Sequence, residues 1–431
     1  MKTIRAVTRY GFAVGLITCV LGIGTPVRAG ETTITLWSHE ADEAAKVAWA
    51  ETAVRNFEKK NPNVKVKITW YQKEPLYAAL KAALRAGQAP DIFYTEPDQT
   101  EYIDNNFLLP LNDLVNWNNV EGWAREVWTH KGKVYGLPKE AYSVELYYNK
   151  DLMKKIGVTL PANGRVSQTE FLEIVKKAVA AGMTPIVQGV GDRPYPGAYV
   201  THELLLKKLG RGDYGKLLDG KLSYKDPRVV DVFTYVKQLV DAGAYPKSFA
   251  TLKLGESHYY FHTKPGGLMF PMGSFYTGRA FVPPDKGGQP ENFPLGIMSM
   301  PAVNGAACNN CKTLAVGGSF SINAASKNPK LAAGLLNEMA TPEMGTLWLS
   351  TILLQTGIKS DASKVTGKYA PYFRELADRN KDAEYFIGIP IDHVKGKCRE
   401  TFVQVMNTAF PGGLLSVEKA VDMMDQGCHQ R

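Results

Sequence analysis

The sequence predicts an α/β fold of about two domains, the first built on a parallel sheet with helices on both faces. Three observations carry this. Strand, helix, strand, helix and strand alternate within the first hundred residues at the spacing of right-handed crossovers. A second β-rich run, followed by a helix, starts near Gly132. The chain has 431 residues, more than one ordinary core encloses.

Residues 32–37 (TTITLW) form an apolar, β-branched strand. Residues 42–60 form a helix: Val47, Ala50, Val54 and Phe57 share one face, and Asn61-Pro62 stops it. Residues 64–70 (VKVKITW) are the second strand. Residues 75–86 are a second helix with Leu76, Leu80, Ala83 and Leu84 inward and Gly87 as its stop. DIFY, from Asp91, is the third strand. HKGKVYGLP then reads as a hairpin, the run after it as strand, and Lys150 as the start of a helix. Residues 226–243 put Val229, Phe233, Val236 and Val240 on one helical face. PGGLMFPMGSF is strand then turn, and the segment from Gly317 is strand, turn and one long helix. The last helical segments lie around residues 400–407 and within 416–425.

In open α/β sheets a ligand sits outside the carboxyl ends of the strands. That places Ser38 to Glu40, Tyr71 and Gln72, and Thr95 to Asp98 around one crevice. Ser38, His39 and Glu40 look like a nucleophile, base and orienter, but neighbours in a strand point to opposite faces, so adjacency makes no triad.

The first residues differ from the rest. Lys2, Arg5 and Arg9 precede an apolar run, GFAVGLITCVLGIG, too short to span a bilayer comfortably, and VRA ends at Ala29. This predicts a secretory signal peptide, residues 1–29, in preference to a membrane anchor or a lipid attached at Cys19. Removing its four basic residues takes the net charge from +9 to +5, and the remaining charges form no basic stripe, so no nucleic-acid partner is expected. Cys308, Cys311, Cys398 and Cys428 remain, an even number suited to an oxidising compartment. Four cysteines allow three pairings. A lone C-x-x-C could be a redox or half-zinc motif, but no second pair matches it, and structural disulfides are the better reading.

Several segments in order resemble the extracellular solute-binding proteins of bacterial ABC importers, in the sugar-binding, maltose-binding-protein-like group. They are ITLWSHEADE…FEKKNPNVKV, LKAALRAGQAPDIFYTEPDQTEYIDNNFLLPL, GKVYGLPKEAYSVELYYNKDLMKKIG, GGLMFPMGSF and GGSFSINAASKNPKLAAGLLNEMATPEM. AGQAPDIF, GKVYGLP and YYNKDL in this order are the specific part. The resemblance implies a two-lobed, type II periplasmic-binding-protein fold: mixed sheets flanked by helices and a ligand cleft at a hinge. Lobe one would hold residues 30–139 and 297–350, and lobe two 142–293 and 356–431. Hinge strands would fall near 139–142, 294–296 and 353–357.

It also implies a periplasmic receptor that closes on a small carbohydrate and hands it to membrane permease subunits. A monomer is expected, without cofactor or metal and without enzymatic activity. A sugar needs aromatic faces for its ring and carboxylates or amides for its hydroxyls. Trp37, Ser38, Glu40, Gln72, Glu96 and Asp98 supply these at the strand ends. Carried over by position, Tyr142 lies at the hinge, Tyr195 in the second lobe, Phe275 where a stacking tryptophan is common, and Gly318 and Ser319 at a strand end. Where the best-known members place an aromatic near the C-terminal helix, this chain has Arg399 and Glu400, which implies a more polar ligand end. Competing structural readings are core packing for Trp37, helix capping for Asp98 and an ion-paired surface for Arg399 and Glu400.

Two other functions compete. His258 and His262, four apart around Tyr259 and Tyr260, would share a helical face as a metal pair, as in a ferric-type binding protein, but further ligands are missing. A secreted glycan-processing enzyme would need two carboxylates across the cleft. No G-x-S-x-G or H-E-x-x-H occurs, and DRNKDAE, from Asp378, lacks the glycine and final glutamate of a calcium loop.

Overall fold

The structure is a computed structural model that describes residues 31–192, 195–263 and 266–429. The expected signal peptide lies outside the described residues. Two large sheets, one with a single core cluster and the other with two, divide the chain into lobes, and a two-stranded hairpin, Thr129–His130 with Lys133–Val134, stands apart.

The first sheet pairs Val64–Trp70, Thr32–Ser38 and Ile92–Thr95 in parallel. Ser319–Ile322 and Leu137–Pro138 then add as antiparallel strands. Its crossover helices are Ala44–Lys60 and Lys73–Ala86. The first buries Ala50, Val54 and Phe57 of the expected face together with Lys46, Trp49 and Ala53, while Val47 is only half-buried. The second buries Leu76, Leu80 and Leu84 and ends on Gly87, whose φ of 68° is the left-handed C-cap that glycine adopts without a Cβ clash. The long helix expected after Ile322 is two helices, Pro329–Met339 and Pro342–Thr351. Pro342 cannot extend the first of them, and the Thr341 hydroxyl accepts the Met344 N–H to start the second.

The second sheet has the order Glu384–Ile387, Cys311–Val316, Ala141–Asn149, Gly267–Gly273, Thr184–Ile186, with Leu295–Met298 pairing the outer half of Ala141–Asn149. Strand Ala141–Asn149 is buried along all but its last residue, as a central strand covered on both faces should be. Helices Gln168–Ala180 and Tyr199–Leu218 pack on this sheet, Pro227–Asp241 packs on both of them, and Val417–Cys428 packs on Pro227–Asp241. Ser167 and Glu170 close a capping box on the first of these.

The chain passes between the sheets at residues 139–140. The crossing expected near 294–296 lies elsewhere: Leu295–Met298 and Cys311–Val316 both pair with Ala141–Asn149, and the chain returns to the first sheet only at Gly317 and Gly318. Residues 297–316 therefore belong with the second sheet, because three strands are needed to pair both edges of Ala141–Asn149 along its length. Near the third expected passage, Gln355 joins the lobes. Its carbonyl accepts the Ala141 N–H, and its side-chain oxygen accepts from Ser143 and Ser274. The structure pairs Cys308 with Cys311 and Cys398 with Cys428. Among the described residues no helix is long and apolar enough to cross a membrane.

Candidate functional site

Parallel register brings the loops after Ser38, Trp70 and Thr95 to one edge of the first sheet, where Tyr71 N–H donates to the Ser38 carbonyl at 2.8 Å. Pro138 and Ser319 stand at the same edge, next to the two crossings. The second sheet turns the ends of Thr184–Ile186, Gly267–Gly273 and Glu384–Ile387 toward those crossings. The two edges therefore face each other across the hinge, which is the position the strand-end rule requires for a ligand.

On the first-lobe wall, Trp37 is half-buried and its ring lies 5.2 Å from that of Tyr71. Glu96 is the best-held acid there. It accepts from Lys73 at 2.7 Å, Tyr77 at 2.7 Å and Tyr94 at 2.9 Å. Burial pushes its carboxyl up, but the Lys73 ammonium and these hydrogen bonds outweigh burial and hold it at about 2. Asp98 accepts from Arg399 of the opposite lobe at 3.1 Å. Burial and the neighbouring Glu96 raise the Asp98 carboxyl against that guanidinium. Arg399 also donates to the Ile391 carbonyl at 2.9 Å. Beside it, burial and then Asp98 push the Asp392 carboxyl up to about 8, and that carboxyl accepts the Ile389 N–H at 3.0 Å.

On the second-lobe wall, Phe275 packs against the cores of both lobes and meets Tyr142 edge-on at 5.1 Å. Gly273 makes room for it, since a Cβ there would stand 2.3 Å from the Phe275 ring. A recess of about 460 Å³ in the second lobe is lined by Asp192, Lys253, Gly255, Glu256, Tyr259 and Arg279, none of them an expected site residue.

Four other expected site residues, Ser38, Glu40, Gly318 and Ser319, are buried. Glu40 is 1% exposed and is engaged by Ser38, by Lys46 and closely by Lys139. Burial raises its carboxyl, but Lys139 and Lys46 outweigh this and hold it below the usual range. Ser38 is spent on Glu40, and the Ser319 hydroxyl accepts the Trp128 indole N–H at 2.8 Å. Gly318 is buried with its Cα against the Tyr94 ring: a Cβ there would lie 2.5 Å from it. Gln72 is exposed and leads into its helix by accepting the Leu76 N–H on its carbonyl. Glu400 is exposed next to Arg399. The Tyr195 side chain lies outside the described residues.

The metal pair does not form. His262 spends both ring nitrogens, on Tyr276 at 3.0 Å and the Gly287 carbonyl at 3.1 Å, and His258 is buried among Phe270, Phe275 and Tyr276. Among the described residues, the one group spaced for a metal is Cys308, Cys311 and Glu384, and its two sulfurs are bonded to each other.

Sequence reasoning missed Lys139 and Gln355. Lys139 is fully buried, with its ammonium within 5.0–5.2 Å of the ring centroids of Trp348, Phe320 and Tyr94. A lysine in LPKEAY carries no signal for burial, and only the three-dimensional cage supplies one.

The family profile described as Bacterial extracellular solute-binding protein matches residues 37–346. This chain belongs to that family. The solute-binding protein is 26% identical over 201 residues to an uncharacterised ABC transporter extracellular-binding protein of Pyrococcus horikoshii, covering 44% of this chain and 45% of the relative. It spans about half the length of the curated relatives it matches. Among solved structures it is similar to one reported for xylan utilisation by Caldanaerobius polysaccharolyticus, with a TM-score of 0.77 at 20% identity, covering 91% of this chain and 99% of that one. A chitin oligosaccharide binding protein gives 0.76 at 22%, covering 91% and 97%. At these identities the likeness is one of fold. It agrees with the two-lobed α/β architecture of a type II binding protein.

Proposed function

We propose that this solute-binding protein captures a small carbohydrate between its lobes, outside the cytoplasm, and delivers it unchanged to the permease of an ABC importer. One observation carries the reading. The facing strand ends combine aromatic surface (Trp37, Tyr71, Phe275) with a carboxylate and a guanidinium from opposite lobes, Asp98 and Arg399, 3.1 Å apart. A sugar hydroxyl both donates and accepts, so it can donate to Asp98 while accepting from Arg399, and its C–H face can lie on a ring. Lobe closure would remove water and strengthen those bonds. The names of the neighbours, which concern chitin oligosaccharides and xylan, agree with this ligand class. The protein would act as a monomer in the periplasm, released by cleavage of residues 1–29. Trp37, Glu96, Asp98, Tyr142, Phe275 and Arg399 are the residues assigned to the ligand, with Tyr195 retained by position.

Thermal unfolding against a panel tests this. The panel is lactose, raffinose, chitobiose, xylobiose, polyols and amino acids. A carbohydrate at a hundred times its Kd stabilises the native state by about 2.7 kcal/mol and raises Tm accordingly. A rise with an amino acid and none with any carbohydrate would overturn the assignment.

A further inference from the structure

The segment that carries Cys308 and Cys311 is built into the helix beside it. Helix Tyr199–Leu218 breaks at Gly210, with φ 69° and ψ 168°, which frees carbonyls just before the break. Ala307 and Cys308 N–H groups take two of them, donating to Lys208 at 3.2 Å and Lys207 at 3.0 Å. The disulfide is thereby seated against the helix that bears Glu203. Its two sulfurs are not equivalent in access: Cys311 is 2% exposed, while Cys308 is half-buried. Cys311 lines a cavity of about 30 Å³, room for a water, with Arg165, Glu203, Lys207, Lys312 and Arg379. Four cations and a buried carboxyl thus line the cavity that Cys311 borders.

We propose that Cys308–Cys311 is a thiol–disulfide exchange site for a dithiol reductant, with Cys308 the sulfur attacked and Cys311 the leaving sulfur. The reductant's thiolate bonds to the accessible Cys308 Sγ, and the S–S bond breaks with its electron pair going to Cys311. The cavity's cations stabilise that thiolate. Glu203 gives it a proton and becomes a carboxylate. The reductant's second thiol, having lost its proton to water, then attacks the reductant's own sulfur in the mixed disulfide and releases Cys308 as a thiolate; Cys308 and Glu203 each take a proton from water. The sum is one protein disulfide reduced to two thiols and one dithiol oxidised to a disulfide. Glu203 suits the donor role: it is 2% exposed, it accepts long hydrogen bonds from the Thr313 N–H at 3.3–3.4 Å, and burial pushes its carboxyl up to about 7. The groups facing it are Lys207 and Tyr214 from its own helix, Lys312 from the next strand, and Arg165 and Arg379 across the cavity.

Folded protein is incubated with limiting dithiothreitol and quenched with N-ethylmaleimide, and alkylation at each cysteine is followed by peptide mass spectrometry. The expected result is alkylation of Cys308 and Cys311 at least tenfold faster than of Cys398 and Cys428. Glutathione disulfide should form a mixed disulfide at the free Cys308 thiol of a Cys311→Ser variant, releasing one glutathione thiol. Glu203→Gln should slow reduction severalfold and remove an inflection near pH 7, with circular dichroism confirming the fold. Lys207→Met, which removes a cation from the cavity, should also slow it. Equal reduction of the two disulfides, or reduction only in denaturant, would overturn the site. An unchanged rate in both variants would overturn the mechanism.

Discussion

Lys139 is the residue on which the crossing depends. A lysine with no exposed surface is stable as an ion only if its charge is met at close range. Glu40 meets it directly, and three aromatic faces surround it. Lys46 extends the network to Glu140, at 2.8 Å, on the crossing itself. Removing one partner leaves a buried charge without its counterion, so Glu40→Ala should cost about 3–5 kcal/mol. Lys139→Met removes the charge and keeps most of the volume, so the double variant should recover much of that loss. Urea unfolding of the single and double variants measures both. If Glu40→Ala cost under about 1 kcal/mol, Glu40 would behave as a surface-pair partner and return as a ligand candidate. Sequence reading could not separate these roles, because a glutamate after a strand looks the same whether it turns outward to a sugar or inward to a lysine distant in sequence.

The elements themselves were mostly legible. Helix faces follow from apolar periodicity, and the Gly87 stop follows from glycine's freedom at positive φ, both of which are local properties. Two features were not local. The break at Thr341 and Pro342 was readable from the proline, but a continuous apolar pattern on both sides masked it. The second crossing was misplaced because pairing of Cys311–Val316 with Ala141–Ser143 is a long-range choice that no spacing announces. That crossing rests on Gly318, which lets the Tyr94 ring sit against the backbone while Gly318 accepts the Glu140 N–H at 3.0 Å. Gly318→Ala puts a methyl 2.5 Å from the ring, so either Tyr94 or the crossing must shift. Overpacking of this kind costs about 1–3 kcal/mol. Because the Tyr94 hydroxyl also holds Glu96, ligand affinity should fall along with stability. Calorimetric titration with whichever sugar raises Tm checks this: unchanged affinity in a folded Gly318→Ala protein would show that Tyr94 does not organise the site.

At the scale of the whole molecule, Asp98 and Arg399 form the one recorded ion pair among the described residues that spans the cleft away from the crossings. It exists only when the lobes are together, so it biases the equilibrium between open and closed forms even without ligand. Both side chains are about one-third exposed, at 33% and 39%, which makes this a screened surface pair worth about 0.2–1 kcal/mol. That range corresponds to a change of about 1.4- to 5-fold in the open-to-closed ratio, too small to lock the protein and large enough to measure. Dyes placed at the exposed positions of Lys59 and Lys177, one on each lobe, report the separation by single-molecule energy transfer. Arg399→Gln should raise the open fraction of ligand-free protein within that range, and 1 M salt should do the same to the parent, since the Debye length falls to about 3 Å. Salt should have little further effect on Arg399→Gln, because the charge pair is already gone. When a sugar saturates the cleft, its hydroxyl bonds hold the lobes together and the salt effect should shrink in the parent as well. An open fraction that rises equally with salt in parent and variant would place the electrostatic bias outside this pair. In that case Lys73, ion-paired with Glu96 on the first-lobe wall, becomes the next candidate.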